Sequence, residues 1–454
     1  MTLAHNVDEH LLCDALKAAS DTRWLLVEPG ARRAAAKVFE TAFGAVPAII
    51  VADENTFAAA GRDIEDSFRN SSHSHAAAFI FGCHVYANYD CILELEAALK
   101  QTDAVPVAVG SGTINDLTKL AAHRIGRPYM VAGTAASMDG YTAYGASITY
   151  KGSKQTFECP APLAVVADLD VMAAAPPGMN ASGYADLLAK VPAGGDWILA
   201  EAAGEEPIDG KAWEAVQSRL RAWLGDPEGI ASGDPAAVRH LVYGLMMTGF
   251  AMQALRSSRP ASGADHQFSH LWDMQHHTHN GVPPSHGSKV GIGSLASIAA
   301  YDEILRRDLL NIDIDAAVER WPSLAQMELR IAAVLGAGEL GAKAVEETRA
   351  KYVSRDRLHS QLTTLRTAWL SLSASLGKHL LHFSEARDML RAAGCPCEPE
   401  QIGISRSRLY ESYEQAWYIR RRYTILDFVQ RAGIADSVLE TSFSPSGPWG
   451  EPHR

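Results

Sequence analysis

Five short apolar runs in the first 180 residues constrain the fold of this chain more than any other feature. Each run has four to seven residues and is followed by a glycine or an aspartate. Helical stretches such as 114–125 lie between some of them. Apolar strands that alternate with helices indicate a parallel sheet covered on both faces. The predicted strands are 46–52, 76–81, 105–109, 129–132 and 163–167.

The chain after about residue 180 has few β-rich runs and is dominated by long helical patterns. A helix-breaking Ala-Pro-Pro-Gly segment at 175–178 marks the expected boundary. The sequence thus predicts an α/β N-terminal domain with a Rossmann-like parallel sheet over 1–178, followed by an all-α C-terminal domain over 179–454. The tail 444–454, which contains several prolines and glycines, is expected to be loose. The predicted long helices are 236–256, 294–307, 323–335, 355–391 and 406–432.

Length and composition narrow the class of protein. A chain of 454 residues is too long for one ordinary core, so two domains are expected. A net charge of −12 disfavours binding to nucleic acid or to an anionic membrane surface, and no apolar run reaches transmembrane length. The N-terminus is polar and acidic, unlike a signal peptide. Scattered cysteines without a disulfide framework indicate reduced thiols and a cytoplasmic protein; they are Cys13, Cys83, Cys91, Cys159, Cys395 and Cys397.

Histidines cluster in the helical part, where six of the seventeen lie within residues 266–286. His266 and His270 are four residues apart, so on a helix they share one face. His286 follows a Pro-Pro break and opens a turn that contains glycine. One imidazole from a helix and one from the next turn can converge on a divalent cation, which makes His266 and His286 candidate metal ligands. The other three are interpreted as surface histidines; they are His276, His277 and His279.

The segment Val-Gly-Ser-Gly-Thr-Ile-Asn-Asp at 109–116 is expected to join a strand to a helix. Gly110 and Gly112 let the backbone approach a pyrophosphate, and the helix N-terminus offers free N–H groups. Asn115 stands where the usual dinucleotide-binding pattern has its third glycine. Taken alone, this Gly-Ser-Gly turn is weak evidence for a phosphate-binding loop.

A second polar loop, Gly-Thr-Ala-Ala-Ser-Met-Asp-Gly-Tyr at 133–141, follows the next predicted strand. Ligands bind at the carboxyl ends of strands in open α/β sheets, so two such loops at adjacent strand ends strengthen the prediction. Asp53 also follows a strand. Its carboxylate can bond the hydroxyls of an adenosine ribose or cap the next helix, and the sequence favours neither interpretation.

Asp186 is a third candidate for metal binding, because it is a lone acid in the otherwise apolar helical segment 182–190. The simpler explanation is a salt bridge with Lys190, four residues further along the helix. The local sequence leaves both interpretations open.

Several motifs occur in order along the chain: Val-Gly-Ser-Gly-Thr-Ile-Asn-Asp, Thr-Ala-Ala-Ser-Met-Asp-Gly-Tyr, Ser-Gly-Tyr-Ala-Asp-Leu-Leu-Ala-Lys and His-Gly-Ser-Lys-Val-Gly-Ile-Gly. Over roughly residues 25–440 the chain resembles the sn-glycerol-1-phosphate dehydrogenase family. That family belongs to the superfamily of iron-type alcohol dehydrogenases, glycerol dehydrogenase and dehydroquinate synthase. The segments 397–405 and 418–427 are similar to its bacterial branch.

The resemblance implies roles for the candidate residues. Asp186, His266 and His286 would bind one divalent metal, and we expect His270 to lie beside the substrate instead of on the metal. Residues 1–178 would then bind the dinucleotide, and 179–454 the metal and the substrate. One departure is Thr142-Ala143, where related sequences often carry a small residue followed by serine. The pyrophosphate would be held by Gly110, Ser111, Gly112, Asn115 and Asp116, with Thr134, Ser137 and the catalytic candidate Asp139 beside the nicotinamide and substrate.

The implied reaction is the reversible reduction of dihydroxyacetone phosphate to sn-glycerol-1-phosphate with NADH or NADPH, a step of phospholipid metabolism. One carboxylate and two imidazoles leave open positions on a divalent ion, which polarises a ketone for hydride transfer. Zinc suits this ligand set, and nickel and iron fit as well. The alternatives are a polyol or larger sugar-phosphate dehydrogenase of the same superfamily, a dehydroquinate-synthase-like lyase, and a non-catalytic metal- or nucleotide-binding protein.

The expected partner is therefore a small phosphorylated ketose or polyol. The protein is expected to form a homo-oligomer, to bind no nucleic acid and to insert into no membrane. If Asp53 lies at the ribose, its charge repels a 2′-phosphate, so NADH should serve at least as well as NADPH.

Overall fold

The computed structural model describes residues 3–82, 85–150 and 153–450. Its strands are β1 (Trp24–Glu28), β2 (Ala48–Asp53), β3 (Phe79–Phe81), β4 (Val105–Gly110), β5 (Met130–Gly133), β6 (Ala146–Tyr150), β7 (Ser153–Phe157) and β8 (Ala164–Asp168). Six of them form a parallel sheet in the order β1-β8-β5-β4-β2-β3. The other two, β6 and β7, pair as an antiparallel hairpin.

The predicted parallel sheet is confirmed, and its central strands are apolar because both faces are covered. Every residue of β4, β5 and β8 is buried. The core against the sheet contains aromatic and β-branched side chains, among them Phe39, Phe68, Ile50 and Val107. All five predicted strands are present, whereas β1 and the β6–β7 hairpin were not predicted.

The α-helices number 23 in the described part of the chain. They are α1 (Leu3–Ala18), α2 (Ala35–Phe43), α3 (Glu54–Thr56), α4 (Arg62–Asn70), α5 (Tyr89–Leu99), α6 (Gly112–Arg124), α7 (Leu169–Ala173), α8 (Pro177–Leu188), α9 (Lys190–Ala202), α10 (Gly210–Gln217), α11 (Leu220–Trp223), α12 (Pro227–Ser232), α13 (Pro235–Leu255), α14 (Ala264–Met274), α15 (His286–Arg306), α16 (Ile314–Arg320), α17 (Leu324–Leu335), α18 (Glu339–Lys351), α19 (Arg355–His379), α20 (Phe383–Ala392), α21 (Arg406–Tyr418), α22 (Ile425–Arg431) and α23 (Ala435–Ser442). The predicted change from an α/β part to a helical part is confirmed.

The chain divides into two compact units. The first contains Met1–Leu187 and Lys211–Pro260, and therefore the whole parallel sheet. The second contains Leu188–Gly210 and Ala261–Arg454 and is built of helices. The predicted assignment of the dinucleotide to 1–178 and of metal and substrate to 179–454 stays a prediction.

Two of the predicted long helices are each divided into two helices in the structure, so the prediction of single helices is wrong there. The predicted helix 355–391 is interrupted between α19 and α20, where Oδ2 of Asp302 accepts the N–H of Phe383 at 2.9 Å and caps the new helix. The predicted helix 406–432 is interrupted between α21 and α22, where Thr424 and Asp427 form a capping box. A cap supplied by a side chain starts a second helix where propensity alone continues the first.

The expectation of a loose tail is wrong for residues 444–450. The indole of Trp449 is 2% exposed and donates from Nε1 to the hydroxyl of Tyr413 at 3.1 Å. Its ring also meets Phe383 edge-on, with centroids 5.0 Å apart. Burial of this one large side chain holds the proline- and glycine-containing segment in place. Residues 451–454 lie outside the described residues.

Two further predictions concern thiols and membranes. The five cysteines that the structure describes form no disulfide, whereas Cys83 lies outside the described residues. None of the helices in the described ranges is long and apolar enough to cross a membrane.

Candidate metal centre and cofactor site

Asp186 lies on α8, which packs tightly against the loop after β5. A Cβ at Gly183 would lie 1.8 Å from the carbonyl oxygen of Ala136, so only glycine permits this approach. Asp186 is fully buried, and its Oδ2 accepts the backbone N–H of Asp139 at 3.1 Å. Asp186 is therefore not a solvated surface acid.

A second helix, α13, approaches the same loop at Gly249. A Cβ there would lie 2.1 Å from Oγ1 of Thr142 and 2.7 Å from the carbonyl oxygen of Asp139. The hydroxyl of Thr142 donates to the carbonyl of Met246 at 2.8 Å. The threonine that departs from the related sequences thus fixes the loop to α13.

His266 lies on α14 and is held by its neighbour in sequence. Its Nδ1 bonds Oδ2 of Asp265, and both side chains are buried. The other carboxylate oxygen of Asp265 accepts the N–H of Gly263 at 3.0 Å, which fixes the carboxylate at the start of the helix. A carboxylate on Nδ1 favours the tautomer in which Nε2 is free to bind a metal.

His286 is the first residue of α15, which packs closely on α14. A Cβ at Gly293 would lie 2.2 Å from the carbonyl oxygen of Asp265, so glycine again allows the approach. The imidazole rings of His266 and His286 have centroids 5.2 Å apart. Ligand-type atoms of Asp186, His266 and His286 lie within 4.8 Å of one another. The three residues singled out in the sequence are thus brought together.

His270 follows His266 by one helical turn, as the i, i+4 spacing predicts. The two ring centroids are 6.2 Å apart. Both imidazoles line a small cavity that Arg420 and Arg422 also line. Neither arginine was predicted from the sequence to belong to this site.

The surface interpretation of the other three histidines is wrong for His277. This side chain is buried; one ring nitrogen lies 2.6 Å from the carbonyl oxygen of Ile402 and the other 2.7 Å from Arg408. Burial lowers the pKa of His277, although the bond to Ile402 opposes the shift. His277 therefore joins α14 to the segments around α21, whereas His276 is exposed and His279 half-buried.

The two predicted cofactor loops leave neighbouring strands side by side. Gly110 at the end of β4 pairs with Gly133 at the end of β5, and the N–H of Thr134 donates to the carbonyl of Gly110 at 3.1 Å. Helix α6 begins at Gly112, with Ser111 at its N-cap position. The loops therefore lie at the carboxyl edge of the sheet, where open α/β sheets bind ligands.

Two predicted cofactor residues on α6 are occupied by contacts with the protein. The buried amide of Asn115 donates to the carbonyl of Gly140 at 3.3 Å and accepts the hydroxyl of Tyr129 at 3.0 Å. The carboxylate of Asp116 accepts the N–H of Ser147 at 3.0 Å, and burial raises its pKa. Both side chains thus hold the polypeptide around the second loop.

Asp53 fills the N-cap position of α3, one of the two interpretations left open. Its Oδ1 accepts the N–H of Thr56 at 2.8 Å, and its own N–H donates to the hydroxyl of Thr56 at 3.1 Å. In the second loop, the carbonyl of Ser137 accepts the hydroxyl of Ser182 on α8 at 3.4 Å. These contacts do not test cofactor binding.

Sequence reasoning missed one buried lysine in this region. The ammonium of Lys119 donates to the carbonyls of Gly140, Ala143 and Gly145 at 3.2, 2.9 and 2.9 Å. One α6 side chain therefore closes the end of the second loop. Asp265 was also missed, although an acid directly before a candidate ligand histidine is a signal for an orienting carboxylate.

Comparison with known proteins gives the family. A model described as iron-containing alcohol dehydrogenase matches residues 26–176. The chain is 29% identical over 385 residues to glycerol-1-phosphate dehydrogenase (NAD(P)+) of Geobacillus thermodenitrificans, over 83% of this chain and 85% of the relative. It is 34% identical over 283 residues to the enzyme of that name from Halalkalibacterium halodurans, over 59% and 67% of the two chains. The chain belongs to the glycerol-1-phosphate dehydrogenase family.

Solved structures agree with the fold of this family. A probable glycerol dehydrogenase from Sinorhizobium meliloti is similar with a TM-score of 0.59 at 15% identity, over 92% of this chain and 98% of the other. A maleylacetate reductase from Agrobacterium tumefaciens has the same TM-score and identity, over 96% and 98%. At this identity the likeness shows the fold alone. The family resemblance found in the sequence motifs is confirmed.

Proposed function

We propose that this chain catalyses the reversible reduction of dihydroxyacetone phosphate to sn-glycerol-1-phosphate with NADH or NADPH and one divalent metal ion. Relatives named glycerol-1-phosphate dehydrogenase (NAD(P)+) support the reaction. The observation that carries the proposal is the convergence of a buried carboxylate and two imidazoles, whose ligand-type atoms lie within 4.8 Å.

The donor set fits a divalent cation. We propose Asp186, His266 and His286 as its ligands, since one carboxylate and two neutral imidazoles match the sets that hold catalytic zinc. Asp265 supports this assignment because it directs Nε2 of His266 away from its own carboxylate. When bound, such an ion supplies Lewis-acid polarisation of a ketone carbonyl. Zinc is our preferred metal, and nickel and iron suit the same ligands.

The neighbouring side chains are proposed to handle the proton and the substrate. His270 lines the same cavity as His266, so we assign it the proton that reaches the product oxygen after hydride transfer. Asp139 is proposed to lie beside the substrate, while its backbone N–H orients the carboxylate of Asp186. The side chains of Thr134 and Ser137 belong to the same loop and are proposed to line the nicotinamide site.

The cofactor is proposed to bind at the carboxyl edge of the sheet through the backbone of 110–116. Gly112→Val should abolish NADH binding, because the added side chain fills the space before α6, where even a Cβ would meet Met138 at 3.3 Å. A folded variant with unchanged NADH affinity would refute this site. The carboxylate of Asp53 should make NADH at least as good as NADPH.

The reaction is tested by following NADH absorbance with dihydroxyacetone phosphate, dihydroxyacetone and a panel of larger sugar phosphates. We expect turnover of dihydroxyacetone phosphate, with sn-glycerol-1-phosphate as the product in a stereospecific assay. Equal reduction of the unphosphorylated ketone would indicate a polyol dehydrogenase instead. Turnover of a larger sugar phosphate alone would indicate a larger sugar-phosphate dehydrogenase. Tightly retained NAD without net turnover would indicate a dehydroquinate-synthase-like lyase.

The homo-oligomeric state and the cytoplasmic location stay predictions. The first is measured by light scattering of the purified protein, and the second by fractionation of the cells that make it.

A further inference from the structure

The cavity lined by His266 and His270 contains positively charged side chains, although the chain as a whole is acidic. Its polar side chains are two guanidinium groups, two imidazoles, a hydroxyl and an amide, with no carboxylate among them. The chain as a whole carries a net charge of −12. A cavity of this composition favours an anionic ligand. The side chains are those of Ser262, His266, Gln267, His270, Arg420 and Arg422.

Arg420 differs from the arginine next to it. Arg421 forms ion pairs with Glu346 and Glu347, at 3.1 and 2.8 Å. No carboxylate in the part of the chain that the structure describes lies within 4 Å of the guanidinium of Arg420. This half-buried guanidinium therefore has no close protein anion to neutralise it, although Glu347 attracts it from a greater distance.

The charge of Glu347 is already balanced by other cations. Arg421 and Lys343 each approach its carboxylate to 2.8 Å, and they hold the pKa of Glu347 down at about 2 against the effect of burial. Desolvation meanwhile lowers the pKa of Arg420. A partly buried cation without a close counter-ion is costly, and a bound anion offsets that cost.

Arg422 fixes the arginine segment against the start of α14. Its Nη1 donates to the carbonyl of Ser262 at 2.6 Å. Two N–H groups at this end of α14 are already used, since Gly263 donates to Asp265 at 3.0 Å and Ala264 to Asp196 at 2.7 Å. The arginines are therefore the main attraction for an anion in this cavity.

We propose that Arg420, assisted by Arg422, binds the phosphate group of the substrate. The inference rests on the proposed function and names the group that selects a phosphorylated ketone. The cavity that contains the arginines also contains His266, a proposed metal ligand, and His270. The proposed arrangement places the ketone of the substrate at the imidazoles and its phosphate at the guanidinium groups. A planar guanidinium suits a phosphate because it donates two parallel hydrogen bonds.

The test compares Arg420→Gln, Arg420→Lys and the matched control Arg421→Gln, which removes the same charge one residue away. Because hydrogen bonds to charged groups are worth about 1.5–3 kcal/mol, Arg420→Gln should raise the KM for dihydroxyacetone phosphate about 10- to 100-fold. Its kcat/KM for unphosphorylated dihydroxyacetone should change less than about threefold. Arg420→Lys should lie between, and Arg421→Gln should resemble the unmodified protein.

An unchanged KM for dihydroxyacetone phosphate in Arg420→Gln would overturn the phosphate subsite and leave the proposed function standing. Equal losses for both ketones would also overturn it, because they would show a general structural defect. If the unmodified protein reduces neither ketone, the proposed function fails, and calorimetric titration with dihydroxyacetone phosphate still decides the subsite. Weaker binding to Arg420→Gln than to Arg421→Gln supports it, and equal binding contradicts it.

Discussion

The carboxylate of Asp265 bonds Nδ1 of His266, the next residue along α14. Neighbouring residues on a helix point in different directions. This contact forms because both residues lie in the first turn of α14, where Asp265 also accepts the N–H of Gly263. The contact defines which nitrogen of His266 carries the proton, and therefore which nitrogen is offered to a metal.

Asp265→Asn should weaken metal binding about 10- to 100-fold, because the amide supports the required tautomer of His266 less well than the carboxylate. The affinity is measured by competition with a chromogenic chelator. Asp313→Asn is a suitable control, since Asp313 is an exposed helix cap that accepts the N–H of Ala316. Equal metal affinity in both variants would show that Asp265 has no orienting role.

Gly183→Ala should destabilise the protein by about 3 kcal/mol, because its Cβ would collide with the carbonyl of Ala136 and push α8 from the loop. The free energy of unfolding is measured by denaturant titration. Gly178→Ala on the same helix meets nothing within 4 Å and should change that energy by less than about 1 kcal/mol. Similar stabilities of the two variants would contradict the close packing described here.

Lys119→Met should destabilise the protein by about 3 kcal/mol, because the carbonyl of Gly140 in the second loop and those of Ala143 and Gly145 just after it lose one charged donor. The loop should also exchange its amide hydrogens faster in mass-spectrometric measurements. Lys100→Met serves as the control, since this exposed lysine pairs with Glu96 at 3.4 Å and its loss should change the free energy of unfolding by less than about 0.5 kcal/mol. Unchanged exchange of the loop in Lys119→Met would refute this role.

Asp196 should make the stability depend on pH. Burial raises its pKa to about 7, although the N–H groups of Ala264 and Ile425 and the hydroxyl of Tyr301 donate to its carboxylate. Between its unfolded pKa of about 4 and about 7 the folded state binds more protons, so its contribution to stability falls as the pH rises.

The measurement for Asp196 is chemical unfolding of the metal-free protein between pH 4.5 and 8. In Asp196→Asn this loss of stability with rising pH should disappear. The free energy of unfolding of the variant should therefore rise relative to that of the unmodified protein as the pH increases. Other titratable groups contribute equally in both proteins, so their contribution cancels in the difference between the two free energies of unfolding. A difference that is constant across the range would contradict the raised pKa.

The sheet and the ligand residues were predictable because their patterns are local. Continuous apolar runs predicted five of the six strands of the parallel sheet. The sixth strand, β1, lies at an edge of the sheet, and only its three middle residues, Leu25 to Val27, are partly buried. The metal candidates were found from the spacing of histidines and from the family resemblance. Their convergence depends on close helix contacts at Gly183 and Gly293, which cannot be recognised from local sequence patterns.

The remaining differences come from contacts between residues far apart in sequence. The break between α21 and α22 falls in an arginine-rich segment whose propensity favours continued helix, yet Arg422 bonds Ser262, 160 residues earlier. The buried position of His277 likewise depends on Ile402 and Arg408. Arg420 could not be linked to a site from sequence, because its importance lies in the cavity that it shares with His270.

The central claim is a metal-dependent reduction at Asp186, His266 and His286, and metal analysis combined with NADH oxidation tests it most directly. The unmodified protein should contain one divalent ion per chain, lose its reduction of dihydroxyacetone phosphate on chelation, and recover it when zinc, nickel or ferrous ion is restored. Asp186→Ala and His286→Ala should bind little metal, whereas His276→Ala, at an exposed histidine, should bind it normally. Full metal occupancy in the first two variants, or an undiminished rate in the metal-free protein, would contradict the account.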